Sequence, residues 1–520
     1  MKKRTKKWLA LTMTGTMLLT MFSGCSSSTQ AGADTTGKNS ITVEVFDRGT
    51  PGGSDPTNNF YTKWIQEKCL ADIGLEVNFV SVPRTEEIPR LNNLMAAGKA
   101  PDIAFTYSIP TFFNFYKNGA LADLTPYLEN APDLVDFLGK DVLDRGEVEG
   151  KQMAIPAKRV LKGKFSTYIR KDWLDALNLS LPTTTQEYYE ALVAIKEQNP
   201  AGVSNVIPLT LTSDVAWRAG PLLQSFVKAD ITEEELYVNG VNESYMLMPG
   251  YKEGVRFLNK MYNEGLIDPE FSLYNDDNKS DDSVARGQTA SLMHNWDWPY
   301  RSAPGIYNNL VQNVSEAELV PIDPFDDSNG THRKSAYDPS GIRIIVPSTS
   351  KNPEGAVQYL NWLAKYENRY FLQTGVEGET FEMVDGLPVL KEGVTGDKAM
   401  NSLNNIDYVT ILNGFDLGDE DKNIQYAVNA YPNASELAEE AYHISMNDAF
   451  YFPGINTPIE SEAPVGSTLK EKEKALLANA IMAAVKDFDK VWDDGLQDWL
   501  NSGAEEARKE RQQIWDSLNK

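Results

Sequence analysis

The sequence predicts an α/β protein built from two lobes. From Ile41 onward, segments with strand-like alternation are followed by segments with helical periodicity, an order typical of parallel strands joined by crossover helices. The chain has 520 residues, of which 41% are hydrophobic, and this length exceeds what one compact core usually holds. Open sheets of this kind bind ligands beyond the carboxyl ends of their strands, so those ends are the first candidates for a functional site.

The N-terminus has the pattern of a secretion signal. A basic stretch precedes an apolar core from Trp8 to Phe22, which is shorter than the roughly 20 residues of a membrane-spanning helix. The motif FSGC, which ends at Cys25, resembles a bacterial lipobox. We therefore expect removal of residues 1–24, lipidation of Cys25, and a flexible tether within residues 25–40. An ordinary secretion signal with an incidental cysteine is the alternative.

The net charge limits which partners are expected, and the cysteine count limits which disulfides can form. The chain carries 49 Lys and Arg against 74 Asp and Glu, a formal net charge of −25. A balance so acidic argues against nucleic acid or an anionic surface as a partner. Only two cysteines are present, so with Cys25 lipidated, Cys69 has no partner for a disulfide.

The first elements after the tether follow a regular order. ITVEVF is predicted as a strand, NNFYTKWIQEKCLADIG as a helix that ends at Gly74, and LEVNFVSV as a second strand. TEEIPRLNNLMAAG is predicted as a helix that ends at Gly98, and PDIAFTY as a short third strand. The strand ends in this region present Asp47 with Arg48, and Tyr107.

Later elements repeat the alternation less regularly. FSTYIRKDWLDALNL is predicted to run from a strand into a helix. A helix is predicted to begin after Thr184, with Glu187 completing a capping box, and another to begin at Pro353, since proline is favoured at the first helical position. The end of the chain, from Leu469 to Leu518, is predicted to be helical.

Several segments, in this order, resemble one known family. They are LNNLMAAGKAPDIAF, GALADLTPYL, IPAKRVLKGKFSTYIRKDWLDALNLSLPTTTQEYYEAL, YKEGVRFLNKMYNEGLIDPEF, VARGQTASLMHNWDW, SKNPEGAVQYLNWLA and GVEGETFE. Together they are similar to family 1 of the extracellular solute-binding proteins, the substrate-binding lipoproteins of sugar ABC importers, in the long branch typical of Gram-positive bacteria.

The resemblance implies a two-lobed, periplasmic-binding-protein-like fold. Each lobe would be an α/β sheet, with the ligand cleft between the lobes. The chain would cross the hinge three times, near Pro156, Tyr337 and Pro388. The N-terminal lobe would comprise residues 41–157 and 338–388, and the C-terminal lobe residues 158–337 and 389–520.

The resemblance also implies a function. Such a protein is a monomer, anchored by lipid to the extracellular face of the cell membrane, that captures a carbohydrate and delivers it to the permease subunits of an ABC transporter. The chain length and the aromatic content favour an oligosaccharide over a monosaccharide. No cofactor is needed and no bond is broken. The alternatives are a tethered carbohydrate-active enzyme, such as a lyase or glycosidase, and a binding protein for a non-sugar solute or one that serves as a sensor partner without transport.

The segment MHNWDWPY is the first candidate for sugar contact. Sugars present apolar ring faces and rims of hydroxyl groups, so their sites combine aromatic rings with planar polar side chains. Trp296, Asp297 and Trp298 follow the strand-like TASLM. In a strand the two tryptophans would share one face, whereas in a loop all three side chains could line a cleft. Burial of either tryptophan in a core is the alternative.

Other candidates come from further strand ends and predicted hinge crossings. Each has a structural alternative: core packing for a tryptophan, a buried ion pair or a solvated cation for a charged residue, and an interfacial position for a tyrosine. If Arg48 and Arg159 make the cleft basic, an acidic sugar becomes a possible ligand. The remaining candidates are Asp47, Arg48, Tyr107, Arg159, Trp217, Arg218, Tyr337 and Glu377.

Motifs for metal binding and catalysis are absent from the sequence. His294, His332 and His443 lie far apart, without the spacing of a zinc site. DLGDEDKN from Asp416 resembles a calcium loop only loosely, because Ala427 occupies the position of the bidentate glutamate. The chain has no GxSxG, Walker A or GxGxxG motif. We therefore predict no metal, no cofactor and no catalytic residue.

Overall fold

The computed structural model describes residues 39–49, 53–301, 305–327, 329–402, 405–454 and 457–518. The predicted signal, the proposed lipidation site Cys25 and nearly all of the tether lie outside these residues. Among the helices that are described, none combines the length and the apolar character needed to cross a membrane.

Ten strands of the described residues form the main sheets. In chain order they are β1 (Ser40–Asp47), β2 (Glu76–Pro83), β3 (Ala104–Thr106), β4 (Ile155–Arg159), β5 (Phe165–Arg170), β6 (Ile207–Leu209), β7 (Thr289–Asn295), β8 (Leu319–Ile322), β9 (Ser340–Ile345) and β10 (Leu412–Asn413). Shorter strands pair Glu147–Val148 with Lys151–Gln152, Lys334–Ser335 with Ala449–Phe450, and Phe381–Val384 with Leu387–Leu390.

Helices connect and cover these strands. The α-helices are Phe60–Ile73, Glu87–Ala96, Ile109–Lys117, Thr125–Leu128, Pro132–Leu138, Lys140–Leu143, Lys171–Ala176, Thr185–Gln198, Val215–Arg218, Gly220–Ser225, Glu233–Asn239, Tyr251–Asn263, Asn278–Ala285, Ile306–Asn313, Pro353–Ala364, Tyr366–Thr374, Glu420–Val428, Ser435–Met446, Gly466–Met482, Phe488–Trp499 and Glu505–Leu518.

The N-terminal lobe is built on one group of neighbouring strands. β1 and β2 run parallel, and β1 also meets the start of β3 through a parallel bridge between Val43 and Ile103. β9 runs antiparallel between β3 and β4, while β10 runs parallel to β4. Because β1, β3, β4 and β10 therefore point the same way, their carboxyl ends lie at the same edge of the lobe.

The C-terminal lobe has a four-stranded sheet in the order β8, β5, β7, β6. β5 is antiparallel to both β7 and β8, whereas β6 is parallel to β7. The carboxyl ends of β6, β7 and β8 consequently lie at one edge, together with the amino end of β5. Two α/β lobes are the architecture that the sequence predicts.

Apolar side chains cover both faces of each sheet. In the N-terminal lobe Ile344 belongs to one core cluster and Ile345 to another, because successive strand residues face opposite sides. In the C-terminal lobe Ile169 packs in the cluster that includes the last helices of the chain, and Tyr168 packs in the cluster on the other face. Each lobe therefore has its own packed layers.

The first predicted helix has the expected boundaries. The Asn59 side chain accepts hydrogen bonds from the backbone N–H groups of Tyr61 and Thr62, and so caps the helix Phe60–Ile73. Gly74 follows with a φ of 69°, a left-handed conformation that favours glycine. The helix ends at Gly74, as the sequence predicts.

The predicted capping box at Thr184 forms only in part. The Thr184 side chain accepts a hydrogen bond from the Glu187 backbone N–H, as predicted. The Glu187 carboxylate instead accepts hydrogen bonds from the backbone and hydroxyl of Thr183, at 2.8 and 2.9 Å. The helix still starts at Thr185, since one side-chain cap is sufficient.

Three connections join the two lobes. Residues 160–164 link β4 to β5, residues 323–339 link β8 to β9, and the chain leaves the N-terminal lobe a second time after β10. The sequence places this third crossing near Pro388. In the structure, however, Leu412–Asn413 pairs with β4, and Tyr408 packs in the N-terminal core, so the chain changes lobe only after Asn413.

The first connection depends on a glycine. A Cβ atom at Gly163 would lie 2.2 Å from the Ser445 hydroxyl and 2.9 Å from the Tyr442 ring. The connection therefore packs directly against the helix Ser435–Met446, at a distance that no other residue allows.

Burial shifts the pKa of several titratable side chains in the N-terminal lobe, Cys69 and Glu44 among them. Cys69 has no disulfide partner among the described residues, and burial raises the pKa of its thiol to about 12. Glu44, on β1, is 1% exposed, and no side chain of a described residue hydrogen-bonds its carboxyl group. Burial raises the pKa of Glu44 to about 8, with a further contribution from the nearby Glu87. A single acidic side chain in this position costs stability when it is ionised.

Candidate ligand-binding site

The strand ends of the N-terminal lobe bring five of the predicted residues to one edge. Asp47 and Arg48 lie at the end of β1, Tyr107 follows β3, and Arg159 ends β4. Tyr337 comes just before β9, whose antiparallel direction places its amino end at this same edge. Residues far apart in the sequence therefore converge because the strands that carry them are neighbours.

The C-terminal lobe contributes a second group of side chains. β7 ends at Asn295, and Trp217 lies in the segment that follows β6. The Trp217 ring contacts Phe165, the first residue of β5, with ring centres 4.8 Å apart, and lies 6.4 Å from the Tyr337 ring. Trp217 is only half-buried. It can therefore offer part of its ring to a ligand.

Tyr337 connects the two groups at the hinge. Its hydroxyl donates a hydrogen bond to Asn295 Oδ1 at 2.9 Å. The Arg159 guanidinium lies over its ring at 4.9 Å from the ring centre, and the Lys164 ammonium lies over it at 5.6 Å. Because Arg159 belongs to β4 and Asn295 to β7, the tyrosine contacts the main strands of both lobes.

Arg48 is held by a partner distant in the sequence. Its guanidinium donates two hydrogen bonds to Asp407, at 2.7 and 2.8 Å, and this interaction raises the pKa of Arg48. Tyr107 is close by, stacked at 6.4 Å from Phe46, with the Arg84 guanidinium 4.6 Å from its own ring centre. Tyr107 is 39% exposed, so its ring is accessible, whereas the charge of Arg48 is already neutralised.

Trp298 has close neighbours on its ring. The His294 imidazole stacks on it at 4.4 Å with an interplanar angle of 10°, and the Arg301 guanidinium lies 5.0 Å from its centre. Its indole N–H donates to Asp281 Oδ2 at 3.1 Å. These contacts fix the orientation of the half-buried ring and leave less of it for a ligand than Trp217 offers.

Trp296 and Arg218 lie in the interior. Trp296 is 7% exposed and packs edge-on against Tyr442 in a core cluster of the C-terminal lobe. Arg218 is fully buried and donates hydrogen bonds to Asp277 at 2.6 Å and to Ser280 at 2.8 Å. The sequence left core packing open for Trp296 and a buried ion pair open for Arg218, and the structure shows these contacts.

The remaining candidates have different surroundings. The Asp297 carboxylate is buried and accepts two hydrogen bonds from Arg301, at 2.9 and 2.8 Å, and one from the Tyr431 hydroxyl at 2.9 Å. Asp47 is exposed and accepts from the Gly49 backbone at 2.9 Å. Glu377 is also exposed, in the turn before Phe381–Val384, and does not join the group around Tyr337.

The hinge carries an ammonium group in an unfavourable environment. Burial lowers the pKa of Lys164 to about 8. Glu243 acts in the opposite direction, whereas Lys470 and Arg159 add to the lowering. Burial also lowers the pKa of Arg159. The two cations beside Tyr337 are thus partly removed from water without full compensation.

Beside Trp298, two titratable groups are shifted toward neutrality. Burial lowers the pKa of His294 to about 4 and raises the pKa of Asp281 to about 6. The imidazole that stacks on Trp298 is therefore neutral near pH 7. It supports the ring by packing and not by charge.

The sequence alone did not indicate several residues of this region. They share no motif, and their positions depend on which strands are neighbours. Lys164 and Asn295 lie beside candidates that were identified, so the direction of β5 and β7 would have been enough to find them. Asp407, Arg301 and Tyr431 emerge only as hydrogen-bond partners of Arg48 and Asp297.

In the calcium-like segment that begins at Asp416, two of the aspartates accept hydrogen bonds from other groups of the protein. Asp416 accepts a hydrogen bond from Arg369 at 2.8 Å, and Asp419 caps the helix Glu420–Val428 by accepting from the Lys422 backbone. Within the described part of the chain, no group of three or more His, Cys, Asp or Glu side chains is arranged to hold a metal ion.

The protein has two α/β lobes joined by three connections, and rings and polar groups line the strand ends that face each other. These features define a two-lobed binding protein. Residues 61–370 match the model of the bacterial extracellular solute-binding protein family, and the chain belongs to that family. The family is the one that the sequence segments indicate.

Known proteins similar to the chain agree with this assignment. It is 25% identical over 403 residues to lipoprotein LipO of Bacillus subtilis, a match that covers 74% of each chain. It is 26% identical over 202 residues to the polygalacturonan/rhamnogalacturonan-binding protein YtcQ of the same species, covering 38% of this chain and 40% of YtcQ. A crystal structure of an extracellular solute-binding protein from Bifidobacterium longum subsp. infantis has a TM-score of 0.65 at 18% identity, covering 93% of this chain and 99% of that one.

Proposed function

We propose that this protein captures an oligosaccharide in the cleft between its lobes and passes it to the permease of an ABC importer. The observation that carries the proposal is the group around Tyr337, where accessible rings and polar side chains from both lobes meet at the hinge. A sugar bound there would contact both lobes at once. Its binding would therefore favour the closed arrangement of the lobes.

The chemistry of this group suits a carbohydrate. Trp217, Tyr337 and Tyr107 offer ring surface for the apolar faces of sugar rings, and Arg159 and Asn295 offer donors and acceptors for their hydroxyl groups. The relative YtcQ, whose name states that it binds polygalacturonan and rhamnogalacturonan, supports a carbohydrate over another solute.

Of the other candidates, Trp298 and Asp297 are proposed as the next contacts along the cleft. Asp47 and Arg48 would lie at its rim on the N-terminal lobe. Glu377 stays a proposal that rests on the sequence alone, and Trp296 and Arg218 would support the site from the interior.

The location of the protein is proposed from its N-terminus. Cleavage at the lipobox-like motif and lipidation of Cys25 would anchor a monomer to the extracellular face of the membrane, beside the permease. The similarity to a protein named lipoprotein LipO supports the anchor. Mass spectrometry of the protein from a native membrane tests it: a diacylglyceryl group on Cys25 is expected, and an N-terminus without lipid would contradict the anchor.

Ligand binding should be detected as a gain in stability. A solute at 100 times its dissociation constant stabilises the folded protein by about 2.7 kcal/mol, because it binds the folded state alone. We would screen purified protein by thermal shift and tryptophan fluorescence against neutral and acidic oligosaccharides of several lengths. Each mixture would then be analysed for breakdown of the sugar.

The outcomes of this screen separate the alternatives. A saturable shift with intact sugar supports the proposed function, and a smaller radius of gyration in the presence of that sugar would support closure. Products released from the sugar would identify a carbohydrate-active enzyme. No response to any carbohydrate, with a response to another solute, would replace the sugar by that solute.

A further inference from the structure

Three cations at the first connection between the lobes form no ion pair within the described part of the chain. Arg159 ends β4, and Lys162 and Lys164 lie in the segment 160–164; we call these three residues the hinge cations. All three are half-buried. None of them forms an ion pair with a carboxylate of a described residue, although the chain carries 74 Asp and Glu residues.

Two arginines of this region are neutralised by carboxylates. The contrast matters because partly buried cations are normally paired in folded proteins. Arg48 pairs with Asp407 at 2.7 Å, and Arg301 pairs with Asp297 at 2.8 Å. Even Asp338, whose backbone carbonyl accepts from Arg159, gives its carboxylate to Arg145 at 2.5 Å.

Aromatic rings lie directly beside the hinge cations. Lys164 lies 5.1 Å from the centre of the Trp217 ring, and both Lys164 and Arg159 lie over Tyr337. Lys162 lies 5.8 Å from the centre of the Tyr451 ring. A ring next to an unpaired cation provides, within a few ångströms, a surface for the face of a sugar and a counter-charge for an acidic group on its edge.

We propose that the ligand is an acidic oligosaccharide whose carboxylates supply the missing anions of the hinge cations. This inference rests on the proposed function and specifies the sugar class for the same cleft. Arg159 uses its Nε to donate to the Asp338 carbonyl at 2.9 Å, and its two terminal nitrogens bond to no described residue. Those nitrogens can bind a carboxylate in the two-bond geometry that guanidinium groups favour.

The negative charge of the whole protein does not oppose this ligand at close range. The formal net charge is −25, but at physiological ionic strength charges farther apart than about 8 Å are largely screened. A carboxylate in the cleft would therefore respond mainly to Arg159, Lys162 and Lys164. Arg48, a candidate for this role from the sequence, is excluded because Asp407 already binds it.

The test compares two ligands that share a sugar backbone and differ in whether their carboxyl groups are charged. Trigalacturonate and its fully methyl-esterified form have the same rings, linkages and length, but the ester carries no negative charge. Isothermal titration of purified protein should give at least about 10-fold tighter binding for the acid, since hydrogen bonds to charged groups contribute that much or more. The affinity for the acid should fall as sodium chloride is raised from 50 to about 500 mM.

Variants connect the preference to the hinge cations. Arg159→Gln and Lys162→Met should each weaken binding of the acid by about 10-fold and leave binding of the ester nearly unchanged. Lys260→Met is the matched control, because Lys260 also lies over a ring, that of Tyr189 at 3.9 Å, but on exposed helices of the C-terminal lobe. This variant should bind the acid as the wild type does.

Each result is decisive. Preference for the acid that both hinge variants abolish supports the inference. Equal binding of acid and ester, or binding of neutral oligosaccharides alone, overturns the inference while the proposed function stands. Failure to bind any oligosaccharide in the wider panel overturns both.

Discussion

Replacing Lys164 by methionine should make the protein more stable. The change removes the charge but keeps an unbranched side chain among Phe165, Trp217 and Tyr337. Burial lowers the pKa of Lys164 from 10.5 to about 8. With about 1.4 kcal/mol for each pKa unit, holding the charge in the folded state costs about 3 kcal/mol at pH 7.

Attraction between the ammonium group and the rings of Phe165, Trp217 and Tyr337 offsets part of this cost. Cation–π attraction contributes about 1 to 2 kcal/mol in such a setting, so Lys164→Met should raise the free energy of unfolding at pH 7 by about 1 to 2 kcal/mol. A lysine whose pKa is lower in the folded state becomes less costly as the pH rises from about 8 toward 10.5. The advantage of the variant should accordingly shrink by about 1 kcal/mol between pH 7 and pH 9.

Urea denaturation, followed by tryptophan fluorescence at pH 7 and pH 9, measures the free energy of unfolding and its change with pH. Lys260→Met is again the control and should change the free energy of unfolding by less than about 0.5 kcal/mol at either pH. A Lys164→Met protein less stable than wild type at pH 7, or an advantage that does not depend on pH, would refute the reasoning. The first result would mean that an unrecognised partner stabilises the ammonium.

Other substitutions test the remaining parts of the description. Asp407→Asn should lower the free energy of unfolding by about 2 kcal/mol in urea denaturation, because Arg48 loses its charged partner; an unchanged value would show that water replaces it. Trp217→Ala should weaken oligosaccharide binding at least about 10-fold in calorimetric titration, whereas Trp296→Ala should cost about 3 kcal/mol or more of stability and leave the affinity of the folded protein unchanged. Glu44→Gln should stabilise the protein at pH 7: the wild type loses stability between about pH 4.5 and 8, because the carboxyl ionises in the unfolded chain while the folded protein keeps it protonated, and a parallel pH profile in the variant would contradict this.

The convergence of several candidate residues follows from strand order. Tyr107, Arg159, Tyr337 and Trp217 were identified because they follow or precede strands, and strand ends that lie side by side bring such residues together. No contact had to be known in advance. Lys164 was missed because it precedes β5, and only residues that follow strands were searched in that part of the chain. Since β5 is antiparallel to β7, its amino end lies beside the carboxyl end of β7.

Other features depend on contacts that one sequence does not reveal. Arg48 and Asp407 are 359 residues apart, so nothing local indicates that the arginine is already paired. The pattern around Trp296 and Trp298 was ambiguous because β7 ends at Asn295, and the turn that follows sends one ring into the core and the other toward the surface. The third hinge crossing was expected near Pro388, which is too early. The sequence did not reveal β10 because its pairing with β4 involves only two residues, too few to give a strand pattern.

The position of the hinge cations affects what happens after capture. A charge fixed within one lobe would hold its ligand equally well at any angle between the lobes. Lys162 and Lys164 instead lie on the connection that must bend, next to a glycine that packs against Ser445 without clearance. On the proposed function, a neutral sugar could occupy the cleft yet fail to draw this connection into its closed form. Discrimination would then operate twice, at capture and again at delivery.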